Sequence, residues 1–210
     1  MTIFIIIATV IFSVISFPRN VQSIEAIRKP EWFNKFLFNA YQVIQRKEWY
    51  RVFTSGFLHA NWMHLAFNML TLYFFGDIVQ AGFVGLFGQA GIVIYLLFYI
   101  LAIGASSIFD LVKYKNDHSY NAIGASGAVS AVLFAVILFE PKISFYLFFI
   151  PIPIPALIFG PLFLIYSQYM AKKKLDNIGH NAHFWGAVFG FFFPLLLRPT
   201  LLMDFFNKIF

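Results

Sequence analysis

Residues 82–108 read GFVGLFGQAGIVIYLLFYILAIGASSI, a run of apolar and small side chains without one charged residue. A membrane-spanning α-helix needs about 20 consecutive, mostly apolar residues, so this run is long enough to cross a bilayer. The whole composition points the same way, because 60% of the 210 residues are hydrophobic, 11% are charged and 30 are Phe. That much apolar surface exceeds what one soluble core could bury, and we expect a membrane protein.

Five further apolar segments flank this run. The first is short, but it lacks a basic leader and a clear cleavage site, which favours a membrane helix over a signal peptide. We predict an all-α polytopic membrane protein with six transmembrane helices in a single domain, residues 1–210. No repeat with a period of about 20 to 50 residues is visible, which argues against a solenoid or barrel. The other five predicted helices are at about residues 3–17, 56–76, 123–139, 155–171 and 181–198.

Two connecting stretches have unusual compositions. Between Pro18 and about Arg51, aromatic residues alternate with Lys and Arg, which is typical of a structured loop at a membrane interface. From Ile143 to Pro155, prolines recur at every second position towards the end. Each proline inside a helix would remove a hydrogen-bond donor and clash with the preceding turn. We therefore expect a hydrophobic connection here and place the fifth helix after it.

The chain is basic, with 15 Lys and Arg against 9 Asp and Glu and a formal net charge of +6. Because the basic residues lie in the predicted loops, we expect them to anchor helix ends and contact anionic lipid headgroups rather than nucleic acid. The 210 residues include no Cys, which excludes disulfides, thiolate metal sites and a Cys nucleophile within them.

Ionisable and strongly polar groups at helix depth are costly, so they indicate where function lies. The fourth helix opens with Gly124, Ala125, Ser126 and Gly127. A serine at a helix N-terminus lies beside free backbone N–H groups that favour a developing anion, and the flanking glycines leave room for a substrate carbonyl. Alternatively, Gly127 begins a packing motif, because small residues follow at every fourth position, Ala131 and Ala135.

The sixth helix begins with a second polar group. His183, Gly186 and Gly190 fall at i, i+3 and i+7, so the histidine shares a helix face with a Gly-x-x-x-Gly contact surface. That face can pack on the small residues of the fourth helix. Since both helices run in the same direction, Ser126 and His183 would lie at the same membrane depth. A histidine within hydrogen-bond reach is the minimum needed to activate a serine nucleophile.

A third polar group, made of His59, His64 and Asn68, lies around the start of the second helix. His64 and Asn68 are four residues apart on one helix face and could offer two donors to a single oxyanion. A metal site built from His59, His64, His180 and His183 is the competing interpretation. The sequence has no His-Glu-x-x-His spacing that would favour it. Each group alone could also be a set of polar residues in the protein core whose hydrogen bonds are satisfied. That interpretation does not explain the three groups together.

In their order and spacing these residues resemble the rhomboid family of intramembrane serine proteases over roughly residues 45–195. The resemblance rests on Tyr50 and Arg51 before the second helix, His64 and Asn68 in a His-x-x-x-Asn pattern, Gly124 to Gly127, and Ala182 to Gly190.

The resemblance implies a six-helix rhomboid-type bundle with Ser126 as nucleophile and His183 as general base. His64, Asn68 and the Ser126 backbone N–H would form the oxyanion hole, with Gly124 and Gly127 beside the substrate. It implies single-span membrane proteins as substrates, admitted when the fifth helix moves aside. It implies no metal, nucleotide or flavin cofactor and no nucleic-acid partner, and it leaves the oligomeric state open.

The family works with a dyad, and a buried carboxylate behind the histidine would be costly at this depth. The acids nearest in sequence are Asp110 and Asp176, and we expect both in loops. A triad through Asp176 is the alternative.

Two residues depart from the family pattern. Many rhomboids carry an aromatic residue one turn after the serine, stacked on the histidine, but this chain has Ser130 there. The histidine must therefore be held in another way. Tyr50 stands where the family often has Trp, which is a mild change.

The distribution of basic residues conflicts with the membrane orientation that the family implies. The loops after the first, third and fifth helices hold 7, 2 and 3 Lys or Arg, against 0, 1 and 2 in the other two loops and the C-terminal tail. The positive-inside rule would place the active-site side in the cytoplasm. The family implies the opposite, and we follow the family because the rule weakens for a long structured loop. We expect a multi-pass integral protein of the cell membrane, plasma or inner.

Two other functional classes compete with a protease. A non-catalytic rhomboid relative that binds membrane helices would be expected to lose the serine or the histidine, and this chain has both. A transporter or proton channel that uses the histidines as a relay predicts an internal repeat or intramembrane carboxylates, and the sequence suggests neither.

Overall fold

The computed structural model of the protein describes residues 1–17, 31–147, 150–173, 176 and 178–210. Most of this part of the chain is helical. The helices are α1 (Thr2–Ser16), α2 (Glu31–Phe36), α3 (Ala40–Gln45), α4 (Tyr50–Thr54), α5 (Trp62–Phe87), α6 (Ala90–Lys113), α7 (Ser126–Phe139), α8 (Ala156–Lys173), α9 (His180–Leu197) and α10 (Leu201–Ile209).

Six of these helices, α1 and α5 to α9, correspond in order to the six predicted ones. The third predicted helix, 82–108, is wrong in its bounds, because residues 82–87 end α5 and α6 begins at Ala90. Within the described residues, α5 and α6 are long and apolar enough to cross a membrane, with 26 and 24 residues. A third span results if α9 and α10 count as one, although they are bent by 114° at their junction. α1 and α7 are apolar but shorter. The prediction of helical membrane segments is thus confirmed, whereas a count of six spans stays a prediction.

The predicted bounds of the second helix, 56–76, are wrong. The Asn61 side chain accepts a hydrogen bond from the His64 backbone N–H and caps α5, which therefore begins at Trp62. α5 continues to Phe87, where Gly88 adopts a φ of 60°. Glycine reaches this left-handed conformation without steric cost, and it commonly ends helices. The backbone between 76 and 82, where the sequence analysis placed a connection, is helical.

The core of the molecule is α7, of whose 14 residues 12 are buried. It contacts α5, α6, α8, α9 and α10. Its closest partner is α9, because a Cβ built at Gly186 would collide with the carbonyl of Gly127, and one at Gly190 with the carbonyl of Ala131. These four residues form what we call the α7–α9 seam. The predicted contact between the small-residue faces of the two helices is therefore confirmed.

The proline-rich connection is a β-hairpin, so the prediction of an entirely α-helical fold is wrong here. Strand β1 (Ser144–Leu147) pairs antiparallel with β2 (Ile150–Pro155), with Ser144 opposite Pro155. Both strands are edge strands, where a proline need not donate a hydrogen bond. α8 begins directly after the hairpin, as predicted.

The loop between α1 and α5 is folded from Glu31 onward, through α2, α3, α4 and a 3-10 turn at Ser55–Phe57. Arg51 is buried, pairs with Glu48, and donates to the carbonyls of Asn34 and Leu37. One guanidinium thereby joins three points of the loop. The predicted structured loop is confirmed for this part, and residues 18–30 lie outside the described chain.

The C-terminal helix α10 turns back against the bundle. Lys208 Nζ donates to the carbonyl of Phe139 at 2.6 Å and lies 3.0 Å from Glu140 Oε1. A cation at this position satisfies a carbonyl at the end of α7 and opposes the negative end of the helix dipole. α10 therefore holds the end of α7 that lies away from Ser126.

Candidate active site

Ser126 is the first residue of α7, and the turn before it is shaped by Gly124. Gly124 has a φ of 120°, which only glycine adopts readily, and its N–H donates to the carbonyl of Ser55 at 3.0 Å. A Cβ at Gly124 would lie 2.5 Å from Cε1 of His64. The absence of a side chain therefore lets the His64 ring lie directly against the turn that leads into Ser126.

His183 lies in the first turn of α9 and is half-buried. Its ring centroid is 6.2 Å from that of Phe163 on α8, with an interplanar angle of 31°, and 5.8 Å from that of His180. The carbonyl of Ala182, one residue before His183, would lie 3.3 Å from a Cβ on Gly127, one residue after Ser126. The seam thus brings the first turns of α7 and α9 into contact.

Ser126 and His183 are not directly bonded. Within the described residues, neither Ser126 Oγ nor the His183 ring takes part in a hydrogen bond, whereas the Ser126 carbonyl accepts one from Ser130 Oγ at 2.8 Å. Catalytic hydrogen bonds are often long until substrate is bound, so this geometry is compatible with a serine–histidine pair. Ser130 binds the backbone of Ser126 rather than stacking on the histidine.

Asn68, one turn after His64 on α5, is buried and oriented by His59. Its Nδ2 lies 3.0 Å from His59 Nε2, and His59 Nδ1 lies 2.8 Å from Ser13 Oγ on α1. Ser13 donates its only proton to the carbonyl of Phe57, so His59 Nδ1 must carry hydrogen and donate to Ser13. His59 Nε2 then accepts from the Asn68 amide, which fixes the direction in which that amide points.

A cavity of about 690 Å³ opens above these residues. Many of its walls are polar, which allows it to hold the water that hydrolysis consumes. His183 and Asn68 are not among the described residues that line it, although Ala182 is. The lining includes Ser126, His64, Gly124, Gly127, Ser106, Ser107, Asp110, Ser119, Asn121, Asp176, His180 and Asn181.

Asp110 is not in a loop, as we expected, but in the last turn of α6, where it is only 3% exposed. Its Oδ2 accepts from Tyr120 Oη at 2.7 Å and its Oδ1 from Asn181 Nδ2 at 2.9 Å. A buried carboxylate is tolerated when hydrogen bonds satisfy its oxygens, and here both are satisfied. The prediction failed because these two partners are distant in sequence.

Asp176 does lie outside the helices, as predicted, but it contacts the wrong histidine for a triad. Its Oδ1 is 3.0 Å from Nε2 of His180. His183 makes no such contact in the described chain. The geometry therefore favours a dyad over a triad through Asp176.

The metal interpretation gains no support from the arrangement of the histidines. His59 and His64 lie together, with ring centroids 4.9 Å apart, and His180 lies beside His183. Among the described residues, no group of three or more His, Asp or Glu side chains is placed to hold a metal ion. A site without metal stays a prediction.

Sequence reasoning missed the roles of three residues that shape this site: His59, Asp110 and Phe163. His59 was predicted to belong to the polar group at the start of the second helix or to a metal site, but its contacts with Asn68 and Ser13 were not foreseen. Phe163 lay in the predicted fifth helix among other apolar residues, and nothing distinguished it. Asp110 carried one signal, because an acid directly after a long apolar run lies at the end of a helix.

Comparison with known proteins identifies the family of the chain. Residues 46–200 match the model of the Rhomboid domain. The mitochondrial RHOMBOID-like protein 12 of Arabidopsis thaliana is 33% identical over 143 residues, which cover 64% of this chain and 42% of that protein. The chloroplastic Rhomboid-like protein 11 of the same plant is 40% identical over 88 residues, covering 42% of this chain and 28% of that protein. The chain thus spans less than half the length of either relative.

The matched region contains Ser126, His183, His64 and Asn68, the residues on which the resemblance was first drawn, and it accounts for most of the chain. The long apolar helices agree with the membrane location of such a domain. This protein is therefore a membrane protein of the rhomboid family.

Proposed function

We propose that the protein is an intramembrane serine endopeptidase that hydrolyses peptide bonds in or near the transmembrane segments of other membrane proteins. One observation carries this proposal: Ser126 opens α7 at the wall of a polar cavity, while the seam holds the first turn of α9, with His183, against the first turn of α7. A serine–histidine dyad requires the nucleophile and the base to come within hydrogen-bond reach, and the packed helix starts bring Ser126 and His183 to the same end of the seam.

In the proposed reaction, His183 takes the proton of Ser126 as the oxygen attacks the carbonyl carbon of the substrate. A tetrahedral intermediate forms, and His183 then gives the proton to the leaving amine as the peptide bond breaks. Water from the cavity attacks the resulting ester with His183 again as base, and this releases the acid product and restores Ser126.

The negative oxygen of the intermediate would be held by the Ser126 N–H and by the side chains of His64 and Asn68. The N–H at the start of α7 has no partner within its own helix, so it is available to an anion. The contact of His64 with Gly124 places its ring at the same turn. His59 leaves one Asn68 amide hydrogen for the oxyanion, because it accepts only the other.

The proposed substrates are single-span membrane proteins, which would enter beside α8. This helix is the most loosely held of those near the site: its buried residues are Ala156, Gly160 and Ser167, whereas α7 is almost wholly buried. A helix with so little buried surface can move aside at a small free-energy cost. The hairpin before α8 gives it a connection that can follow such movement.

The membrane of residence belongs to the proposal as well. The sequence suggested the plasma or inner membrane of a cell, but the names of the two relatives place them in mitochondria and chloroplasts, which gives that suggestion no support. We propose the family orientation, in which the cavity opens on the outer side of the membrane and both ends of the described helical bundle lie on the inner side.

The test is cleavage of a single-span reporter by the purified protein in liposomes. We expect native protein to cut and Ser126→Ala and His183→Ala to be inactive. Ser107→Ala, which removes a hydroxyl from the same cavity, and His118→Ala, which removes an exposed loop histidine, serve as controls and should cut normally. Equal cutting by all variants would contradict the dyad.

The alternative function is a non-catalytic rhomboid-like protein that binds membrane helices. It predicts that the native protein captures the reporter without cutting it and that Ser126→Ala captures it equally. Capture with cutting by the native protein alone would exclude this alternative.

A further inference from the structure

Asp110 is a buried carboxylate that joins the two chain segments carrying the dyad. It lies in the last turn of α6, 3% exposed, and its two oxygens accept from two different segments. Tyr120 precedes Ser126 by six residues, and Asn181 precedes His183 by two. A single side chain thus contacts both the approach to the serine and the approach to the histidine.

The hydrogen bond from Tyr120 to Asp110 is the arm of this network towards the serine, and it is rigid. The Tyr120 ring stacks on Tyr114 with centroids 3.7 Å apart and an interplanar angle of 10°, and meets Phe38 edge-on. Asn39 Nδ2 donates to the Tyr120 carbonyl at 3.1 Å. Burial raises the pKa of Tyr120, and the charge of the neighbouring Asp110 raises it further. The Tyr120 hydroxyl therefore stays protonated and donates.

The hydrogen bond from Asn181 to Asp110 is the arm towards the histidine, and it holds the first turn of α9. Asn181 is the second residue of this helix, and its amide donates to Asp110 Oδ1 at 2.9 Å. The seam fixes the distance between α7 and α9 but leaves rotation of α9 about its own axis to other contacts. A hydrogen bond on the first turn, beside His183, opposes that rotation where it would displace the imidazole most.

This arm is needed because Ser130 leaves the histidine without an aromatic partner on α7. Phe163 contacts the His183 ring instead, but it belongs to α8, the helix that is loosely held. Because the proposed entry of substrate requires α8 to move, this contact alone would not position the base throughout the catalytic cycle. Asp110 and Asn181 belong to α6 and α9, which pack on each other directly.

We propose that Asp110 is a positioning residue that sets His183 against Ser126 through Asn181 and Tyr120. The inference rests on the proposed peptidase function and adds to it a carboxylate that touches neither substrate nor dyad. Its role depends on the match between a carboxylate acceptor and an amide donor, so exchanging the two groups should preserve it.

The test exchanges the pair. In Asn181→Asp two carboxylates face each other at hydrogen-bond distance, and like charges repel there. In the double variant Asp110→Asn with Asn181→Asp, the amide and the carboxylate have changed places and the hydrogen bond can form again. Asp110→Leu alone removes the acceptor from both Asn181 and Tyr120. Tyr114→Phe keeps the ring stack without touching the pair and serves as control.

The measurement is kcat and KM for reporter cleavage in liposomes, with kcat referred to the active sites titrated by a fluorophosphonate. We expect Asn181→Asp to lower kcat per titrated site about tenfold or more, since misplaced catalytic groups lose rate steeply, with KM nearly unchanged. The double variant should recover to within about threefold of the native value, as coupled neighbouring residues do. Asp110→Leu should lower kcat per titrated site as Asn181→Asp does, because it accepts from neither segment. Tyr114→Phe should change kcat little.

The outcomes separate this proposal from the one on which it rests. Normal kcat per site in Asn181→Asp, with active native protein, would overturn the positioning role and leave the peptidase function intact. An effect confined to the number of titrated sites would mean that the pair only stabilises the fold, which also overturns it. A double variant no better than Asn181→Asp would do the same. Native protein as inactive as Ser126→Ala would overturn both proposals.

Discussion

The α7–α9 seam and the outer helix α8 lie on two sides of the same site and are built in opposite ways. In the seam, glycines bring the backbones of two helices into contact, and α7 is buried over nearly its whole length. α8 has three buried residues, contains Pro161 and follows a proline-rich hairpin. The difference suggests a division of work, in which the seam fixes the reacting groups and α8 is the part that can move.

The seam should be the most sensitive part of the molecule. Gly186→Ala places a methyl group against the Gly127 carbonyl, which must push α9 away from α7. We expect the free energy of unfolding to fall by about 1 to 3 kcal/mol, as overpacking does. Cleavage should fall about a hundredfold, because a displacement of about 1 Å at a catalytic group has that effect.

The matched control is Gly85→Ala on α5, where an added Cβ meets nothing within 4 Å. It should leave cleavage unchanged and raise stability slightly, because alanine favours the helix by about 0.5 to 1 kcal/mol. Thermal unfolding and reporter cleavage in the same detergent measure both variants. Similar behaviour of the two glycines would mean that the seam is no more rigid than a lipid-facing surface.

The turn before Ser126 should be next in sensitivity. Gly124→Ala both strains a φ of 120° and drives a methyl group into the His64 ring. Such strain costs about 1 to 3 kcal/mol, and the protein can release it only by moving His64 or the turn before Ser126. We therefore expect cleavage to fall about tenfold or more. Gly179→Ala, at a φ of −75° and with its Cβ 3.8 Å from that of Ala182, should cleave normally. Full activity of Gly124→Ala would show that this turn does not shape the site.

A smaller effect is expected behind the oxyanion hole. His59→Leu removes the acceptor that orients the Asn68 amide, and we expect kcat to fall about tenfold with KM unchanged, less than the loss of an oxyanion donor itself. His59→Gln offers an amide oxygen to Asn68 and should recover part of the rate. Steady-state kinetics in liposomes measure kcat and KM for both variants. Equal kcat values for the Leu and Gln variants would contradict the orienting role of His59.

The smallest effect should come from the end of α7 that lies away from the site. Lys208→Met removes the cation that binds the Phe139 carbonyl and Glu140, and a partly exposed pair of this kind contributes about 0.2 to 1 kcal/mol. We expect a slightly lower unfolding temperature and an unchanged kcat per titrated site. A marked loss of kcat would mean that α10 communicates with the catalytic end of the seam.

The sequence was most informative where local patterns carry the structure. Gly186 and Gly190 lie on the face of His183 by helical periodicity, so the packing of α9 on α7 could be predicted without knowing any distance. The sequence failed where a residue's role depends on distant partners. Asp110 was expected in a loop because a polar stretch follows it, but it lies in the last turn of α6, where Tyr120 and Asn181 donate hydrogen bonds to its carboxylate.

The hairpin and the support of the histidine show the same limit. Alternating prolines excluded a helix, but only the pairing of Ser144 with Pro155 shows that the segment folds back on itself. Ser130 indicated that His183 needs other support. The ring beside it, Phe163, comes from α8, and the proposed support through Asn181 comes from Asp110 on α6. The type and order of elements were therefore accessible, and the contacts between them were not.

The most direct test of the central claim, that His183 activates Ser126, is the rate at which a fluorophosphonate modifies the protein in liposomes. Mass spectrometry of the modified protein identifies the residue, and the comparison is between native protein, His183→Ala and the loop control His118→Ala. We expect modification at Ser126 in the native protein and the control. In His183→Ala we expect a modification rate at least about a hundredfold lower, since a general base contributes a factor of about 10² to 10⁴. Equal rates in all three, or modification at another serine, would contradict the claim.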